Sequence, residues 1–162
     1  MIIGKHMKKT GLLIALSVIS LLANAQGIYK KTASMDFKTA YQKVYSALED
    51  ERFYVIHEIN IGENLAGFKD KWKDYNLNKV ENQQVMIICN GWYANQVGNA
   101  DPEMLALCPL HITLTEKEGR STVLFVRPSA VAKGSKAEAI ASEIEHKVIK
   151  AIEDATCATQ TC

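Results

Sequence analysis

Residues 110–128 read LHITLTEKEGRSTVLFVRP, and this stretch decides the fold. Two apolar, β-branched runs, LHITLT and STVLFVRP, flank the polar EKEGR, which is the pattern of a β-hairpin. Gly119 supplies the positive φ that the turn needs, and Pro128 ends the second strand because it has no N–H for a ladder. A hairpin requires antiparallel pairing, so at least part of the sheet is antiparallel.

Upstream, Val85–Cys89 in QQVMIICN form a continuous apolar run between polar neighbours, as expected of a strand covered on both faces and hence of the sheet centre. Downstream, Ser135 and Glu138 in SKAE have capping-box spacing. Ile140, Ile144, Val148 and Ile152 then repeat every four residues as the core stripe of a helix. Toward the N-terminus, Ile28–Ser34 reads as a short strand. Phe37, Ala40, Tyr41, Val44, Tyr45 and Leu48 recur at helical spacing behind Asp36, a good N-cap. FYVIHEINI (53–61) is β-branched and aromatic and predicts a strand, while Leu65, Phe68, Trp72 and Tyr75 predict a second helix weakened by Gly67. Strands and helices interleave around an antiparallel hairpin. The expectation is an α+β, two-layer domain: a mixed β-sheet with helices packed mainly on one face.

Residues 1–25 have the form of a secretory signal peptide. Lys5, Lys8 and Lys9 precede GLLIALSVISLLA, an apolar run too short to span a bilayer comfortably, and Ala23-Asn24-Ala25 offers the small residues that a signal peptidase accepts. Cleavage between Ala25 and Gln26 is expected, which gives a periplasmic or secreted protein. No cysteine follows the apolar run to carry a lipid, so no stable membrane anchor is expected after cleavage. Met7-Lys8-Lys9 is a natural start in its own right, so Met1 and Met7 are both candidate initiators. Residues 26–156 then form one domain, and 157–162 a short polar tail carrying Cys157 and Cys162.

Taking the three leader lysines from the 19 basic residues leaves 16 against 18 acidic, a formal −2. That balance provides no footprint for nucleic acid or an anionic membrane. Lys69, Lys71 and Lys73 do alternate around Trp72, but Asp70 and Asp74 interrupt them, as on a solvated helix face. His146 sits among charged neighbours on a helix, and His57 in a strand; both read as ordinary structural or solvated histidines. No Ser/His/Asp spacing or phosphate loop appears, so the reading leans away from an enzyme.

The chemistry-bearing residues concentrate in CNGWYANQVGNADPEMLALCPLH (89–111). If the strand ending at Cys89 and the one starting near Leu110 are antiparallel neighbours, Cys89 and Cys108 come within reach of each other. Closing that loop as a disulfide would contribute roughly 3 kcal/mol. Cys157 and Cys162 are a second candidate pair by proximity. Cys89, Cys108 and His111 are also donors suited to zinc or copper, with Met104 as a thioether for Cu(I), and haem ligation by His111 or His57 stays open. Residues 108 and 111 would face opposite ways in a regular strand, so a shared ion requires a bend at Pro109. Thiol redox chemistry is a further reading, with Cys89 ahead of a helix starting near Gly91 and Cys108 as its resolving partner. The remaining reading is binding without chemistry. Connections this long are often functional loops, and Asn90, Trp92 and Tyr93 offer flat apolar faces and an amide.

The chain resembles the bacterial family known as domain of unknown function 302 over about residues 27–155. The resemblance is carried by the opening helix followed by Phe53-Tyr54-Val55, by the strand ending in Cys89-Asn90, by Pro102 and Leu107 leading to a Cys/Pro pair, and by the closing amphipathic helix. Relatives commonly read Cys-Asn-Pro and Pro-Cys, where this chain has Gly91 after Asn90 and the order Cys108-Pro109. The resemblance implies a compact α+β fold, a capacity for homodimers and no assigned activity. The leading expectation is a non-catalytic module whose small ligand or periplasmic protein partner meets the 89–111 loop at Cys89, Asn90, Trp92, Tyr93, Cys108 and His111. A thiol redox, metal or haem centre is the alternative.

Overall fold

The computed structural model describes residues 27–157; the expected signal peptide and Cys162 lie outside the described residues. Strands β1 (Ile28–Ala33), β2 (Tyr54–Asn60), β3 (Asn82–Cys89), β4 (Leu110–Lys117) and β5 (Arg120–Val126) form one sheet in the order β1-β5-β4-β3-β2. Helices α1 (Phe37–Asp50), α2 (Ile61–Ala66), α3 (Gly91–Ala100), α4 (Pro128–Val131) and α5 (Glu138–Thr156) accompany it, with a 3-10 helix over Pro102–Leu107. This is an α+β fold. Every pairing is antiparallel, where the interleaved elements had suggested a mixed sheet. The reason is the crossover by α1: it carries the chain from one edge of the sheet to the other, so β1 and β2 never become neighbours.

The hairpin is as expected and tighter than its sequence indicates. Lys117 faces Arg120, so the loop is only Glu118-Gly119, and both residues have positive φ, 53° and 68°. Two left-handed residues match the right-handed twist of the strands, as in a type I′ turn. β4 is the middle strand, not β3. On β3, Met86 and Ile88 are buried against the helical layer while Val85 and Ile87, on the other face, are only half-buried. The apolar run therefore reflects one covered face and one partly open one.

The core lies between that face and the helices. Ala40, Val44 and Leu48 of α1 meet Ile144, Val148, Ala151 and Ile152 of α5 above Met86, Ile112, Leu114, Val123 and Phe125. The alanines let the two helices sit close together. Asp36 caps α1 as expected, its Oδ1 accepting from the Thr39 N–H at 2.9 Å. The capping box does not form, and α5 starts at Glu138. Ser135 Oγ accepts from Ala137, while the Glu138 carboxylate reaches back to the Gly134 N–H at 2.8 Å, bridging the preceding turn instead. The second helix is also shorter and earlier than its apolar spacing predicts. Asn60 caps it and Gly67 closes it, and Phe68 and Trp72 stack on each other at 4.5 Å in the turns that follow.

Two local irregularities shape one end of the sheet. A bulge at Ile56 shifts the register of β2, so His57 pairs with Ile87 and Val55 with Ile88; the two residues thus lie on opposite faces rather than sharing one. The other is the end of α1. The Arg52 N–H donates to Glu49 O at 2.8 Å and the Phe53 N–H to Leu48 O at 2.9 Å, the two reverse bonds of a Schellman ending. The residue in the left-handed position is Arg52, at φ 64°, where glycine is the usual occupant. A side chain there costs about 1–2 kcal/mol.

Candidate functional site

Antiparallel pairing of β3 with β4 places the end of one strand beside the start of the other, and this brings Cys89 and Cys108 together. Their sulfurs are 3.8 Å apart, in hydrogen-bond contact and partly buried. Burial and then the neighbouring Cys89 push the Cys108 thiol up to about 11. At neutral pH Cys108 is therefore a thiol, and a thiol is a poor nucleophile. The apolar space beside the pair, lined by Phe53, Ile88, Val97 and Ile144, holds only about 30 Å³, close to the room one or two waters need.

His111 does not join the cysteines. It is exposed and pairs with Ile87 on the open face of the sheet, whereas Leu110 and Ile88 face the helical layer. Among the described residues no group of three or more His, Cys, Asp or Glu is gathered so as to hold a metal ion. The expected Cys89, Cys108 and His111 donor set is thus not assembled. Cys108 lies ahead of β4, whereas His111, within it, takes the open face of the sheet. Met104 packs against the hydrophobic core. Cys157 ends α5, and its expected partner Cys162 lies outside the described residues.

The residues after Cys89 divide by role. Asn90 is the N-cap of α3: its Oδ1 accepts from the N–H groups of Trp92 and Tyr93 at 3.1 and 3.2 Å. Tyr93 is an anchor, buried, stacked on Phe53 at 5.8 Å and donating its hydroxyl to Glu143 at 2.5 Å. Burial first and that carboxylate second push its pKa up to about 12. Trp92, one residue earlier, touches the edge of Tyr93 and leaves 61% of its surface in solvent.

Trp92 forms one wall of an open cleft of about 430 Å³. The other walls come from the turn between α1 and β2, from the first turn of α3 and from α5. Tyr54 opposes with 54% exposure, and Asp50, Glu51, Arg52 and Lys147 supply charge. Lys147 Nζ and Glu51 Oε2 pair at 3.2 Å. This volume falls within the usual 300–1,000 Å³ of small-molecule sites. The sequence singled out Asn90, Trp92 and Tyr93, all on this cleft, and missed Asp50, Arg52, Tyr54 and Lys147. One signal for Arg52 was available: a helix stops at LEDERF with neither glycine nor proline to stop it.

The family model for DUF302, a domain of unknown function, matches residues 29–155. No functionally curated protein matches the chain. Among solved structures, the crystal structure of the uncharacterized conserved protein DUF302 from Bacillus stearothermophilus superposes with a TM-score of 0.70 at 16% identity, covering 81% of this chain and 98% of that one. At that identity the likeness speaks for the fold alone. With the family model spanning nearly every described residue, the chain belongs to the DUF302 family.

Proposed function

We propose that this protein is an exported, non-catalytic small-ligand-binding domain, and that its ligand sits in the cleft between the α1–β2 turn and the start of α3. One observation carries the reading. Two large aromatic side chains, Tyr54 and Trp92, stand mostly in solvent on the walls of one cleft of ligand size. Exposed aromatic faces at a concave, charged site gain contact area from a ligand at little entropic cost, because each has only two rotatable bonds. The export half of the proposal rests on the charged, apolar and small-residue pattern of residues 1–25.

The test is a thermal-shift screen of small polar and aromatic metabolites against the wild type and the Y54A/W92A double variant. At least one compound is expected to raise the wild-type Tm by several degrees and to leave the double variant unmoved. Hits that stabilise both proteins equally, or a screen without hits, would sink the cleft reading. Cell fractionation with N-terminal sequencing tests export, for which a periplasmic chain beginning at Gln26 is expected.

A second reading keeps the paired cysteines as a redox centre, favoured by the 3.8 Å approach of their sulfurs. The raised pKa of Cys108 fits a slowly reacting pair better than a catalytic one.

A further inference from the structure

The four charges around the cleft, Asp50, Glu51, Arg52 and Lys147, sum to zero, but only two of them are paired. Glu51 and Lys147 are committed to each other at 3.2 Å. Asp50 and Arg52 are not: among the described residues neither side chain has an ion-pair or hydrogen-bond partner. The cleft therefore presents one free carboxylate and one free guanidinium, two positions apart in sequence.

Arg52 holds its place against a local preference. It occupies the left-handed position of the α1 ending at φ 64°, a conformation that glycine adopts freely and a long side chain does not. Both hydrogen bonds of that ending are made by backbone, so glycine would preserve them. Nothing in the packing requires a guanidinium there, since the residue is exposed. Strain held at a cleft by a residue with no structural task points to a task toward a ligand.

A ligand with one charge satisfies one of the two free groups and crowds the other. A ligand bearing both charges answers both. Tyr54 and Trp92 provide apolar surface for the remainder of such a molecule.

We infer that the cleft binds a zwitterion of the free α-amino acid class, with Arg52 receiving the carboxylate and Asp50 the ammonium group. The inference rests on the cleft reading above and sharpens it to a ligand chemistry. A guanidinium can clasp a carboxylate through two parallel N–H···O bonds, which makes Arg52 the residue that decides specificity.

The experiment is calorimetric titration of the full-length mature protein with three probes at low salt. These are phenylalanine, phenylalaninamide, which keeps only the positive charge, and N-acetylphenylalanine, which keeps only the negative one. Phenylalanine is expected to bind about tenfold or more tighter than either analogue. R52G is expected to raise the Tm while lowering phenylalanine affinity to that of phenylalaninamide, and R52K to restore part of it. D50N is expected to erase the preference over N-acetylphenylalanine. Equal affinity for the three probes, or unchanged phenylalanine binding in R52G, overturns the inference. So does failure of all three probes to bind. In that last case, hits in the metabolite screen that disappear in Y54A/W92A leave the cleft reading standing, and an empty screen removes both.

Discussion

The sulfur of Cys89, at the end of β3, lies 3.8 Å from that of Cys108, just ahead of β4, although 19 positions separate them in the chain. Strand register alone produces this encounter, because the two strands are antiparallel neighbours.

Disulfide exchange with oxidised glutathione should therefore close the pair within one molecule. One thiolate attacks the glutathione disulfide and expels one reduced glutathione; the second cysteine then resolves the mixed disulfide and expels another. The product is expected to be about 3 kcal/mol more stable than the reduced protein. Chemical denaturation of both forms checks this, and equal midpoints would show that the closed form is strained.

The thiolate fraction of Cys108 should limit its reactivity. With a pKa raised to about 11, its alkylation rate in a C89S variant is expected to climb about tenfold per pH unit from neutrality upward. Because burial is the largest cause, most of the rise should survive the substitution. Mass-spectrometric alkylation rates from pH 7 to 10 decide it. A plateau near pH 8 would contradict the burial argument.

Phe53 and Trp92 lie on either side of Tyr93, one buried and one in solvent. Phe53→Ala should cost about 3–5 kcal/mol, because it empties core volume. Trp92→Ala should stay within about 0.5 kcal/mol in the absence of ligand. Denaturant midpoints separate the two, and a large loss for Trp92→Ala would mean that this ring is structural.

Tyr29 and Tyr93 each donate to a carboxylate, Glu153 and Glu143, and both have pKa values pushed up to about 12, by burial before charge. The neutral phenol is the form that the fold favours. Its contribution is therefore complete below the unfolded value of 10.0 and is lost as pH rises through about 12. Stability should fall across that interval and fall less steeply in Y93F. Identical pH profiles for the two proteins would argue against this linkage.

At the hairpin, Glu118 holds φ at 53° without being glycine. Asparagine tolerates that region better, so Glu118→Asn should stabilise by about 0.5–1 kcal/mol. The comparison of unfolding midpoints is direct, since the turn is exposed and far from the cleft.

What could be read from the sequence follows from how local each cause is. The hairpin, the α1 stripe and its Asp36 cap depend on neighbours within a few residues, and the structure has them where periodicity put them. Strand order depends on pairings such as Ile28 with Val126, which no local pattern encodes, so the mixed sheet and the central place given to β3 were wrong. The cleft was half visible. Trp92 stood out as an aromatic in a long loop, while Arg52 and Tyr54, from the α1–β2 turn and the start of β2, and Lys147, from α5, look like ordinary surface residues until the fold joins them. His111 failed as a partner for the cysteines for a local reason: it lies within β4 and takes the open face, while Cys108 lies ahead of the strand.

The pairing of β1 with β5 has a consequence for how the chain comes into being. The first strand waits at an edge until residues 120–126 exist to zip against it, so a nascent chain or a C-terminally truncated one keeps that edge unsatisfied. Fragments ending before the hairpin are expected to be sticky, protease-sensitive and unable to reach a smaller stable fold. In a cell, partial copies of this protein would be cleared as debris instead of surviving as miniature versions of it.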